Sequence, residues 1–127
     1  MGMKKILFLH GFFASGQCIP ALALRDVMAD KVQVLTPDLP QHPTEALELI
    51  RSICEKEHPD LLVGNSCGSF YAQMLAPIVG APALLGNPHF RMTEFQNDCL
   101  CLNIYESTPK SACKYFAFQN VISHFIV

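Results

Sequence analysis

Residues 60–70 read Asp-Leu-Leu-Val-Gly-Asn-Ser-Cys-Gly-Ser-Phe, and few folds accommodate that order. A short apolar run with a polar start has the length of a buried strand, and Tyr71, Met74 and Leu75 continue it at helical spacing. Between the two lies Gly64-Asn65-Ser66-Cys67-Gly68, so strand must become helix within a sharp turn. Gly64 and Gly68 carry no Cβ, which lets strand and helix approach closely on either side of Ser66. The turn then strains the Ser66 backbone and projects its hydroxyl near the positive end of the following helix. A plain glycine-rich turn with Ser66 capping the helix fits the same residues, so the flanking sequence has to decide.

The flanks have one rhythm. Residues 4–10 form a continuous apolar run after a polar start, as in a strand covered on both faces, and run into a glycine-bearing loop over 10–16. Residues 20–28 carry helical spacing with Leu24, Val27 and Met28 on one side. Residues 32–36 form a second strand, closed by a proline-rich loop over 37–43. The clearest helix covers 44–57, with Thr44 as cap, Glu45 in the first turn, Leu47, Ile50 and Cys54 along one face, and Pro59 as its stop. Residues 61–64 are the third strand; Pro77 and Gly80 end the helix after the turn, and 83–85 form a fourth strand closing at Gly86-Asn87-Pro88. This β-α-β-α-β-α-β order with short links predicts an α/β fold, three-layer α/β/α with a mostly parallel sheet. In such sheets ligands bind beyond the carboxyl ends of the strands. If the first and third strands are neighbours, the loop after His10 faces Ser66 there.

That juxtaposition suits acyl transfer. A serine nucleophile needs two donors aimed at the oxygen of the tetrahedral intermediate. The N–H of Cys67, next after the serine, is one candidate, and the N–H of Phe12 in the facing loop is the other. His10 reads as a buried strand-end histidine and Gly11 as a turn glycine; neither is assigned the role of base.

Composition narrows the alternatives. The 127 residues make a single domain over 1–127 with enough chain for a core. A net charge of -2 without a basic run speaks against a nucleic-acid surface. Half of the residues are hydrophobic and mean hydropathy is +0.26, yet no run approaches a membrane span. Lys4-Lys5 before residues 6–9 begins like an export signal, but His10-Gly11 interrupts it and no A-x-A cleavage site follows. Gly2 does not start a myristoylation site, since position 6 is Ile. The six cysteines match no disulfide framework and read as reduced thiols in a cytoplasmic protein. Cys99, Cys101, Cys113 and His124 have none of the usual zinc spacings, so neither metal nor cofactor is expected.

Leu-His-Gly-Phe at 9–12, Thr-Pro-Asp-Leu-Pro at 36–40, the stretch 64–72 and Gly-Asn-Pro at 86–88 resemble the small α/β-hydrolase esterases, more narrowly the compact YqiA-like group. The resemblance covers residues 3–96 and implies a serine esterase with Ser66 as nucleophile and Phe12 and Cys67 as oxyanion donors. Asp38 lies in what is an architectural loop of many hydrolases and stays outside the triad. The family continues with further strands, an acid and then a histidine. Here residues 97–127 depart as an atypical tail without a βαβ rhythm, so the fold expected is a reduced or truncated α/β-hydrolase.

In that tail Asp98 and Glu106 are the acids, and His89 and His124 are the histidines after Ser66. The assignment carried forward is His124 as base, oriented by Asp98. Tyr115, Phe118, Ile122 and Phe125 fit a helical face, although the run suits a strand as well. Two readings follow. The first is a serine hydrolase of small-molecule esters or thioesters, acting through an acyl-enzyme. The second is a hydrolase-like binding module, or an incomplete chain, that lacks the base. A flavodoxin-like nucleotide binder ranks behind both, because no phosphate-binding glycine pattern follows the first strand. A sheet of four strands also leaves an apolar edge, to be covered by residues 114–127 or by a second copy in a homo-oligomer.

Overall fold

The computed structural model describes residues 2–86 and a strand at 115–118. Strands β1 (Lys5–Leu9), β2 (Gln33–Leu35), β3 (Leu61–Asn65) and β4 (Ala83–Gly86) alternate with helices α1 (Ile19–Met28), α2 (Pro43–Glu57) and α3 (Cys67–Val79), and β5 (Tyr115–Phe118) follows. The sheet order is β2-β1-β3-β4-β5 and every pair is parallel. An α/β architecture with helices on both faces is what the alternating pattern predicts.

Alternation along β1 explains the layers. Leu7 and Leu9 turn to one face and pack with Leu47, Ile50 and Cys54 of α2 and with Phe70 and Met74 of α3. Ile6 and Phe8 turn to the other, against Ala21 and Leu24 of α1. Each strand residue thus buries apolar surface on one side or the other, worth roughly 1.5–3 kcal/mol for a fully buried large side chain. The pairing of Leu9 with Gly64 makes β1 and β3 neighbours, as the site requires.

Four details differ from the sequence reading or decide between its alternatives. Thr44 is not the α2 cap: the helix starts one residue earlier at Pro43, with His42 in the capping position. Pro43 suits the first turn, where a missing N–H costs no helical bond. Pro77 does not end α3, which continues to Val79 and stops at Gly80, φ 73, whose N–H donates to the Ala76 carbonyl. Residues 115–118 form a strand, which decides between the strand and the helical face that the run equally suited. That strand pairs with β4, so among the described residues the sheet has five strands with β2 and β5 at its edges. Among the described residues no helix is long and apolar enough to cross a membrane.

Candidate active site

Ser66 sits between β3 and α3 with φ 55 and ψ −116, a conformation rare for any residue with a side chain. Such a backbone costs about 1–3 kcal/mol and persists only where its surroundings over-determine it. Here they do. The Ser66 N–H donates to the Gly86 carbonyl at 2.9 Å, and the Ser66 carbonyl accepts from the Ser69 N–H at 3.0 Å. The buried Ser69 hydroxyl lies 2.9 Å from the Gly64 carbonyl oxygen and 2.8 Å from that of Gly86, tying the turn to both strands beneath it. A Cβ on Gly68 would overlap the carbonyl of Leu9, and one on Gly64 would overlap the backbone of Gly68. Both glycines are therefore required by close packing of strand against helix.

The first loop meets this turn. A Cβ built on Gly11 would stand 3.4 Å from the Ser66 Cβ and 3.9 Å from its Oγ. The loop after β1 thus passes directly beside the hydroxyl. Cys67 is the first residue of α3, so its N–H has no acceptor within the helix. Phe12 lies in the turn closed by the Ala14 N–H on the Gly11 carbonyl at 3.2 Å, with Phe13 at φ 58. Among the described residues no backbone acceptor takes the Phe12 N–H.

His10 is buried with both ring nitrogens engaged. Its Nδ1 is 2.7 Å from the Gly11 carbonyl oxygen, and its Nε2 lies 2.8 Å from the Leu39 N–H. A ring held this way is structural and leaves no nitrogen for Ser66, in line with the sequence reading. Asp38 is architectural too: its Oδ1 accepts from the Gly16 N–H at 2.7 Å, bracing the first loop against the second.

Between the two loops and the start of α3 lies a cleft of about 130 Å3 lined by Gly11, Phe12, Phe13, Leu39, Cys67 and Tyr71 among others. Phe12 and Phe13 meet edge to face with centroids 4.2 Å apart, and both remain exposed. Burial raises the Cys67 thiol above its ordinary range, opposed by a hydrogen bond with Tyr71. The thiol therefore stays protonated near neutrality, which leaves the N–H as the group Cys67 could offer a ligand. Sequence reading missed Tyr71 and Leu39. Tyr71 was findable, since it lies four residues after Cys67 and so on the same helix face; Leu39 follows only from the tertiary fold.

The proposed base His124, its orienting acid Asp98, and His89 and Glu106 lie outside the described residues, as does the imagined zinc set. Among the described residues no group of three or more His, Cys, Asp or Glu could hold a metal ion.

A family model described as Uncharacterised protein family (UPF0227) matches residues 5–121, a span that takes in most of the tail beyond residue 96.

Proposed function

The chain belongs to the UPF0227 family, and from that premise and the turn at Ser66 we propose that it is a serine hydrolase of the YqiA-like esterase kind. It cleaves small carboxylic esters or thioesters in the cytoplasm without metal or cofactor. The observation that carries this reading is Ser66 at φ 55, beside a loop so close that a Cβ on Gly11 would touch the Ser66 side chain. A merely structural serine has no need of a strained backbone fixed from three directions.

In the proposed reaction Ser66 Oγ attacks the acyl carbon, and the carbonyl oxygen takes up negative charge between the N–H groups of Cys67 and Phe12. The base receives the hydroxyl proton and passes it to the leaving alcohol or thiol; water then releases the acyl group by the reverse sequence. His124 is the base in this reading and Asp98 its partner. Gly86 pairs with both Asn65 and Phe118, so β5 ends about 10 Å across the sheet from the strand that delivers Ser66. His124 lies six positions beyond Phe118, enough chain to span about 20 Å. That reach supports the assignment.

Hydrolysis of p-nitrophenyl acetate and butyrate by the purified chain, beside Ser66→Ala and His124→Ala, tests the proposal. Turnover abolished by both substitutions is the expected result. Turnover that survives Ser66→Ala contradicts the nucleophile, and loss with Ser66→Ala alone moves the base to His89 or to a second copy.

A further inference from the structure

The two hydrogen bonds of His10 do more than satisfy a buried ring. A carbonyl oxygen only accepts, so the 2.7 Å contact with the Gly11 oxygen requires a proton on Nδ1. The Leu39 N–H only donates, so Nε2 must be bare. The ring is fixed as the neutral Nδ1–H tautomer by partners on two different loops. The Gly11 carbonyl that it holds belongs to the same peptide unit as the Phe12 N–H. There are no cis peptide bonds among the described residues, and in a trans peptide carbonyl and N–H point in opposite directions. With the carbonyl directed to the His10 ring and also accepting from Ala14 at 3.2 Å, the Phe12 N–H points the opposite way, away from that ring.

We propose that His10 is a positioning residue for the oxyanion donor: its Nδ1–H fixes the Gly11–Phe12 peptide so that the Phe12 N–H is presented beside Ser66. Leu39 selects the tautomer that makes this possible. The loop carrying Leu39 is itself braced through Asp38 to the Gly16 N–H at 2.7 Å, so the second loop sets the aim of the first. This rests on the hydrolase reading, since the amide has a task only if charge develops on an oxygen next to Ser66.

The two isosteric amides separate the ring's functions. His10→Asn places an amide N–H where Nδ1 was and leaves Leu39 without an acceptor. His10→Gln places an amide oxygen where Nε2 was and removes the donor to Gly11. The measurements are the rate of Ser66 modification by a fluorophosphonate, kcat and KM for p-nitrophenyl butyrate, and the melting temperature. We expect His10→Gln to lower modification rate and kcat about 10–100-fold with KM nearly unchanged, a part of the loss seen when such a donor is removed outright. His10→Asn should retain most of both. Losses in both variants that simply follow the fall in melting temperature, or wild-type rates in His10→Gln, overturn the proposal alone. No modification of the wild-type chain overturns the hydrolase reading, and the proposal with it. Should His10→Gln fail to fold, the ring 15N shifts of the wild-type protein decide: a proton on Nε2 in place of Nδ1 contradicts the positioning role.

Discussion

Two glycines that look alike in sequence answer different demands. Gly68 abuts the Leu9 carbonyl so closely that no side chain fits, whereas Gly11 has ordinary contact distance to Ser66. Gly68→Ala should therefore cost about 3 kcal/mol of stability, at the upper end for overpacking, measured by chemical denaturation. Gly11→Val should leave a folded chain and block the reaction, because its branches fill the space over the Ser66 hydroxyl. Phe12→Leu should be mild, since its assigned role belongs to the backbone; equal losses from Gly11→Val and Phe12→Leu would place that role in the Phe12 ring. Cysteine reactivity is a separate check. Burial pushes the Cys54 thiol up to about 11 and raises that of Cys67. Iodoacetamide at neutral pH, followed by peptide mapping, should label the half-buried Cys18 well before either. At this scale Ser66 and its bracketing glycines were readable because G-x-S-x-G between strand and helix admits few backbones. The His10 tautomer was not, because it depends on an amide twenty-nine residues away.

Among the elements, β1 and β3 are joined at their amino ends by charge. Asp60 Oδ2 accepts the Lys5 N–H at 2.9 Å, and Lys5 Nζ reaches Glu57 at 2.8 Å at the close of α2. The Lys5 N–H first and Lys4 second hold the Asp60 carboxyl below its ordinary 3.8, and the Lys5 ammonium holds Glu57 below 4.5. A carboxyl lowered in the folded state stabilises the fold above its ordinary value and loses that contribution as pH falls through the folded value. Asp60→Asn should accordingly lower the melting temperature at pH 7, and the difference from wild type should shrink steadily below pH 4. A constant difference down to pH 2 would contradict the charge account. The strands and helices through β4 were legible because period and length agree there. Pro77 misled because it falls in the last turn of α3, where only the Gln73 carbonyl loses a helical donor and burial of residues 67–76 carries the helix past it. Residues 115–118 stayed open between helix and strand in the sequence because a short apolar run has no period of its own; pairing with β4 makes them strand.

For the molecule as a whole, parallel pairing gathers every described strand's carboxyl end at one rim, where the β1 loop, the Ser66 turn and the end of β5 lie. β5 also covers the edge that β4 would otherwise present. A chain ending at residue 114 should expose that edge and self-associate, seen as an earlier elution on size exclusion; an unchanged monomer of equal stability would remove β5 from the account. The rim as the place where the loops gather was foreseeable from the βαβ order alone, since winding fixes which ends of the strands meet. The shape of the cleft was not, because it is built from loops whose contacts cross from one strand to another. Central to the proposed function is that Ser66 is an activated nucleophile beside two backbone donors. Incubation of the folded chain with a fluorophosphonate, followed by intact mass and peptide mapping, tests that most directly. One adduct, on Ser66 and absent from Ser66→Ala, is the predicted result; an unmodified folded chain, or an adduct on any other residue, would contradict it.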